Sequence, residues 1–143
     1  MNKVFADANI LVAVLNKEYP LFSSAARLLS LAERPNFTVY TSPVCLAIAF
    51  YFAQKKCGER KALEKIRVLS TKVEITSCGS KEVISAASNP RISDFEDGLE
   101  YYAALHAGCE AIITEDLDDF HFSDLPVLRC EDYLRNHVIK QIA

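Results

Sequence analysis

No CxxC pair occurs among the five cysteines, Cys45, Cys57, Cys78, Cys109 and Cys130. An odd number without paired spacing points to a reducing, cytoplasmic setting. There Cys45 and Cys109, in apolar surroundings, would pack as small hydrophobes. Only four glycines are present, and none forms a Walker loop or a dinucleotide fingerprint; no serine stands in a nucleophile elbow. A nucleotide-binding loop and a serine triad are thereby poorly supported. The three histidines, His106, His121 and His137, lack regular partner spacing. The apolar run Val44–Ala53 is too short for a bilayer, and Asp7 and Asn9 interrupt the amino-terminal apolar stretch. We therefore expect a soluble protein with no membrane partner and no signal segment.

Two further absences concern charge. No acid falls between Glu33 and Glu59, and no Lys or Arg falls between Asp94 and Phe120. Half of the 143 residues are apolar, enough to bury the core of one compact domain spanning residues 1–143. The net charge of −3 neither demands nor excludes nucleic acid, because local field decides partners. Six cations gather at Lys55, Lys56, Arg60, Lys61, Lys65 and Arg67, interrupted by Glu59 and Glu64.

Periodicity and breakers place strands at Lys3–Ala6, Phe37–Thr41, Val73–Thr76, Ala111–Thr114 and Pro126–Leu128. Helices are expected over Asn9–Asn16, Ser23–Glu33, Val44 to about Lys56, Glu59–Leu69, Ser80–Ala87, Phe95–His106 and Glu131–Ile142, with Gly108 as a C-cap. The almost entirely apolar third helix should be deeply packed. Strands alternating with helices predict an α/β fold, a mostly parallel sheet of about five strands covered on both faces.

Nine acids crowd into residues 94–119 without local counter-charge. Such a cluster is either a solvated face or a site for a hard divalent cation. Ligand sites in parallel sheets form beyond the carboxyl ends of strands. Asp7 follows the first strand, Asp116 follows the fourth, and Asp97 begins the helix feeding the fourth. Asp7, Asp97 and Asp116 are thus candidate Mg2+ or Mn2+ ligands, with Asp119 a fourth candidate that would bind a second ion or orient water. Each has an ordinary alternative: Asp7 as a helix cap, Asp97 as a first-turn acid, Asp116 and Asp119 as turn residues. Asp94 is read as a cap, and Asn9 and Thr114 as polar support.

The segments VFADANILVAVL (4–15) and DFEDGLEYYAALHAGCEAIITEDLDDF (94–120) resemble the PIN-domain family, in particular small bacterial toxins of VapC type, over essentially the whole chain. The resemblance implies a three-layer α/β/α fold and metal-dependent cleavage of RNA. It also implies homodimerisation, inhibition by a cognate antitoxin, and catalytic roles for Asp7, Asp97, Asp116 and Asp119. Relatives carry a glutamate in the helix after the second strand, and the position matching it here is read as Ile48. An isoleucine cannot ligate a cation. Either Asp94 or Glu100 compensates, or metal affinity or nuclease activity is reduced.

The leading expectation is a metal-dependent endoribonuclease, the toxin of a toxin–antitoxin pair. The alternative is a catalytically weakened PIN-like RNA- or protein-binding module. A phosphatase or receiver domain is disfavoured. The first strand lacks a DxD pattern and the third ends without an aspartate.

Overall fold

The computed structural model describes residues 2–139. Five strands, β1 (Asn2–Ala6), β2 (Phe37–Thr41), β3 (Glu74–Ile75), β4 (Ala111–Ile113) and β5 (Val127–Leu128), form one sheet in the order β3-β2-β1-β4-β5. Every pairing in it is parallel. Val4–Ala6 of β1 and all of β4 are apolar and buried, as a sheet covered on both faces requires. Val4, Phe5, Ile112 and Ile113 have no exposed surface, each worth about 1.5–3 kcal/mol of burial.

Among the described residues six α-helices connect the strands, α1 (Ala8–Asn16), α2 (Leu21–Leu31), α3 (Pro43–Cys57), α4 (Glu59–Ser70), α5 (Ser80–Ser88) and α6 (Phe95–His106), and α7 (Cys130–Tyr133) follows β5. This gives the three-layer α/β arrangement. A wider helical stretch, Leu134–Ile139, continues α7. The expected terminal helix thus begins one residue earlier than read, and its last residues, 140–142, lie outside the described residues.

Pro43 opens α3, where its missing N–H costs nothing, and the Ser42 hydroxyl accepts from Cys45 N at 3.1 Å. The expectation that α3 packs deeply is corrected. Only Cys45, Ala49 and Ala53 are buried, while Tyr51 and Phe52 stand half exposed. A helix apolar on all sides does not reveal which face turns inward.

β1 connects through α1 and α2 to β2, its neighbour on one side in the sheet, and β4 is its neighbour on the other. The switch point of the sheet therefore falls between β1 and β4. Their carboxyl ends are in register, Ala6 opposite Ile113, and Asp7 N donates to Ile113 O at 3.0 Å. A crevice outside these two strand ends is where this architecture places ligands.

Candidate metal centre at the carboxyl edge of the sheet

Asp7 leaves β1 in an extended conformation and caps α1, its Oδ1 accepting from Ala8 N at 2.6 Å. Its Oδ2 accepts from the Thr114 hydroxyl at 2.8 Å. Thr114, fully buried at the end of β4, accepts in turn from Asn9 Nδ2 at 3.0 Å and from Asp116 N at 3.1 Å. Asn9 Nδ2 also reaches Asp116 Oδ2 at 3.2 Å. One hydroxyl and one amide thus tie the acid after β1 to the acid after β4. Asn9 and Thr114 are the polar supports expected of them.

A cavity of about 460 Å³ opens above this junction. Asp7, Glu96, Asp97, Glu100, Asp116 and Asp119 line it, and Ile48 and Phe52 form part of its apolar wall. The Asp97 carboxyl is pushed up to about 7, first by burial and then by the negative charge of Asp94, Asp119 and Asp7. Asp119, on the short 3-10 turn Leu117–Phe120, is raised by burial and then by Asp116 and Asp7. Asp94 caps α6 by accepting from Glu96 N at 2.9 Å.

The expectation that Ile48 stands at the second acidic position is overturned by the geometry of α3. The α3 side chain that meets the acids is Cys45, almost one helical turn before Ile48. Its Sγ lies 2.8 Å from Glu100 Oε1 and 4.0 Å from Asp7 Oδ1. Ile48 is half-buried on the cavity wall. Asp7, Cys45 and Glu100, from three separate elements and all buried, bring their ligand atoms within 4.8 Å of one another. Cys45 is therefore part of the site, not a thiol packed only among hydrophobes as expected. Burial, followed by the negative charges of Glu100 and Asp7, holds its thiol well above the usual range. Burial and then Asp7 push the Glu100 carboxyl up to about 10. Sequence reasoning named Glu100 only as a compensating acid. The signal that could have marked it is its spacing three residues beyond Asp97, on the same face of α6.

Among the described residues, only the inner trio Asp7, Cys45 and Glu100 brings its ligand atoms within 4.8 Å of one another; the expected outer set, Asp7, Asp97 and Asp116, lines the same cavity without gathering that closely. The outer set is all oxygen, which suits Mg2+ or Mn2+. The inner set adds a sulfur, which a hard ion does not favour.

The remaining notable groups lie elsewhere. His106 Nδ1 contacts the buried Glu82 at 2.5 Å, and Glu82 also accepts from Gly79 N at 2.8 Å, joining α5 to α6. His121 Nδ1 contacts Asp118 O at 3.3 Å. Of the basic run, Lys56 and Lys65 donate to Asn16 O and Leu15 O, satisfying carbonyls at the end of α1. Lys55 sits 4.4 Å from the Tyr51 ring centroid. A larger concavity of about 700 Å³ has an apolar floor including Val14, Leu29 and Leu69 and a rim of lysines. Its lining includes a single acid, Glu64, whereas the smaller cavity gathers the carboxylates and is the candidate site. No described helix is long and apolar enough to cross a membrane.

An open parallel α/β fold with a carboxylate-lined crevice at its switch point defines a class of protein suited to holding a cation at the sheet edge. Within that class, residues 3–118 match the PIN domain model, and the chain belongs to the PIN-domain family. It is 27% identical over 135 residues to Ribonuclease VapC1 of Aquifex aeolicus strain VF5, covering 92% of each chain. Among solved structures, it resembles a chain of the VapBC2 structure from Rickettsia felis, bound to a fragment of promoter DNA. There the TM-score is 0.68 at 19% identity, over 89% of this chain and 97% of that one. Mycobacterium tuberculosis VapC20, a Sarcin-Ricin loop cleaving toxin, is similar with a TM-score of 0.60 at 22% identity. That likeness covers 76% of this chain and 86% of that one. A chain of the VapBC-1 structure from nontypeable Haemophilus influenzae is similar at 16% identity, TM-score 0.67, over 90% and 98% of the two chains.

Proposed function

We propose that residues 1–143 form a catalytically weakened PIN module that binds RNA at the acidic cavity through a divalent cation and is held by a cognate antitoxin protein. The carrying observation is that Cys45 occupies the place in α3 where a further acid would meet Asp7 and Glu100. A neutral thiol there leaves the cavity one charge short for gripping a hard cation. The antitoxin enters by similarity to the VapBC structures. A homodimer is part of the same reading, supported by the exposed aromatic and apolar groups Tyr51, Phe52 and Leu63 on α3 and α4.

In this reading Asp7, Asp97 and Asp116 hold Mg2+ or Mn2+, and Asp119 orients water. When bound, such an ion supplies charge stabilisation on a phosphodiester and acidifies a water molecule. Thr114 and Asn9 keep Asp7 and Asp116 aimed, and Ile48 keeps one wall dry. RNA brings its own negative backbone to the acidic cavity, so the cation must stand between them.

A second reading, a fully active endoribonuclease toxin, is favoured by the four aspartates lining one cavity. Pure protein with a mixed RNA pool and Mn2+ or Mg2+, beside an Asp97→Asn control, tests both. The weakened-module reading expects metal-dependent RNA retention that the control loses, with slow cleavage. Rapid cleavage lost in the control selects the second reading. Equal retention by both proteins overturns the site.

A further inference from the structure

The PIN reading supplies a divalent cation but not its identity, and Cys45 bears on that choice. Three facts on the donor set combine. Asp7 and Glu100 line the acidic cavity, so both are reachable by an ion entering it. Cys45, which has no exposed surface, lies against both carboxyls. Two donors on one zinc ion can be no further apart than the sum of their bonds, about 4.5 Å for a thiolate and a carboxylate oxygen. The observed separations from Sγ, 2.8 Å and 4.0 Å, fall inside that limit.

We propose that Asp7, Cys45 and Glu100 form an inner subsite selective for a thiophilic divalent cation such as Zn2+, sharing Asp7 with the all-oxygen outer set. The inference rests on the reading of this cavity as a cation site. Sulfur and oxygen donors together match ions of borderline softness, whereas Mg2+ demands oxygen and sheds water reluctantly. A thiolate ligand requires that the Cys45 proton leave to solvent as the ion enters. Asp7 is already aimed by Ala8 N and Thr114, and a carboxylate retains lone pairs beyond those two bonds.

The same cluster without an ion is a hydrogen bond from thiol to carboxyl, and the experiment must separate that arrangement from ligation. Tighter binding of Zn2+ than Mg2+ would not by itself decide, because most protein sites rank the ions that way. Dependence on Cys45 does decide. Full-length protein, stripped with chelator and kept reduced, is titrated with Co2+ and followed by near-ultraviolet absorption. In parallel, Zn2+ and Mg2+ affinities are measured by competition with a chromogenic chelator.

We expect a thiolate-to-cobalt charge-transfer band in wild type and in a Cys57→Ser/Cys78→Ser variant, lost in Cys45→Ser. Zn2+ affinity should fall at least about tenfold in Cys45→Ser while Mg2+ affinity stays within about twofold. Glu100→Gln serves as the second variant and should weaken Zn2+ with its fold intact by circular dichroism. A band that persists in Cys45→Ser, or unchanged Zn2+ affinity in both folded variants, overturns the proposal. RNA retention by Mg2+-loaded wild type is measured beside it. Retained RNA without a cobalt band sinks the subsite alone, and a band without RNA retention sinks the RNA-binding reading alone.

Discussion

Cys45 Sγ lies 2.8 Å from Glu100 Oε1, a buried thiol of α3 against a buried carboxyl of α6. Both groups are driven toward their neutral forms by burial and by Asp7. The buried heart of the acidic cavity therefore carries less charge than its acids suggest.

Cys45→Asp would add a carboxyl to this point. In metal-free protein the new charge meets Asp7 and Glu100 without a counter-ion, and stability should drop by about 3 kcal/mol. Mg2+ should restore much of that loss, and RNA cleavage with Mg2+ should rise at least about tenfold. Denaturant midpoints with and without Mg2+, and gel-resolved cleavage rates, check this. Wild-type cleavage by a folded Cys45→Asp protein would remove the weakened-site reading.

Much of the fold was legible in the sequence. The alternation of Phe37–Thr41 and the capped pattern of Phe95–His106 match β2 and α6 to the residue. Asp7 follows the strand read at Lys3–Ala6, and Thr114 ends and Asp116 lies just beyond the one read at Ala111–Thr114. The inner half of the site was not legible. Which face of α3 turns inward depends on tertiary packing, because apolar residues surround that helix. Glu100 within α6 reads like any surface glutamate until the strand order brings α6 over the β1–β4 crevice. The shift from Ile48 to Cys45 is less than one helical turn, and no single-sequence pattern resolves that rotation.

Asp7 serves both capping and the cavity, and two substitutions separate these roles. Asp7→Asn keeps an acceptor for Ala8 N, so its stability cost should stay below about 1 kcal/mol. Asp7→Ala loses the cap and the acceptor for Thr114, costing about 2 kcal/mol. Both should lose Mn2+ binding by at least about tenfold, read by calorimetry. Equal stability of the two variants would deny the capping role; unchanged Mn2+ binding in Asp7→Asn would deny the ligand role.

The pH dependence of the chelated protein has a definite sign. Glu100 is raised from 4.5 to about 10 and Asp97 from 3.8 to about 7, so the folded state binds more protons than the unfolded. Their favourable contribution is complete below the unfolded values and is lost as pH rises, through about 7 for Asp97 and about 10 for Glu100. The melting temperature of metal-free protein should therefore fall between pH 5 and pH 8 (roughly the lower part of this window), and Glu100→Gln should flatten the decline. Glu82 acts oppositely. Gly79 N and then His106 hold its carboxyl below 4.5, so its contribution is present above that value and lost on acidification. Glu82→Gln should flatten the acid limb and leave the alkaline one. A melting profile that rises from pH 5 to pH 8 in chelator would contradict the placement of Glu100.

Gly98 sits buried between Asp97 and Glu100, where α6 crosses α5. A methyl group there would meet Ile92 Cγ2 at 3.0 Å and Ala86 Cβ at 3.1 Å. Alanine gains about 1 kcal/mol in helix propensity over glycine. Overpacking costs about 1–3 kcal/mol, and the rigid Ala86 contact cannot be relieved by a rotamer change. The balance predicts a net loss near 1 kcal/mol for Gly98→Ala, with α6 pushed from α5 and the Cys45–Glu100 contact disturbed. Ile92→Ala removes one of the two obstructing side chains. The double variant should therefore be more stable than the sum of the single effects by about 1 kcal/mol. Strict additivity in denaturant melts would show that steric pressure at Gly98 does not set the position of α6. Coupling together with weakened Mn2+ binding in Gly98→Ala would show that the close helix crossing aims the acids of the cavity.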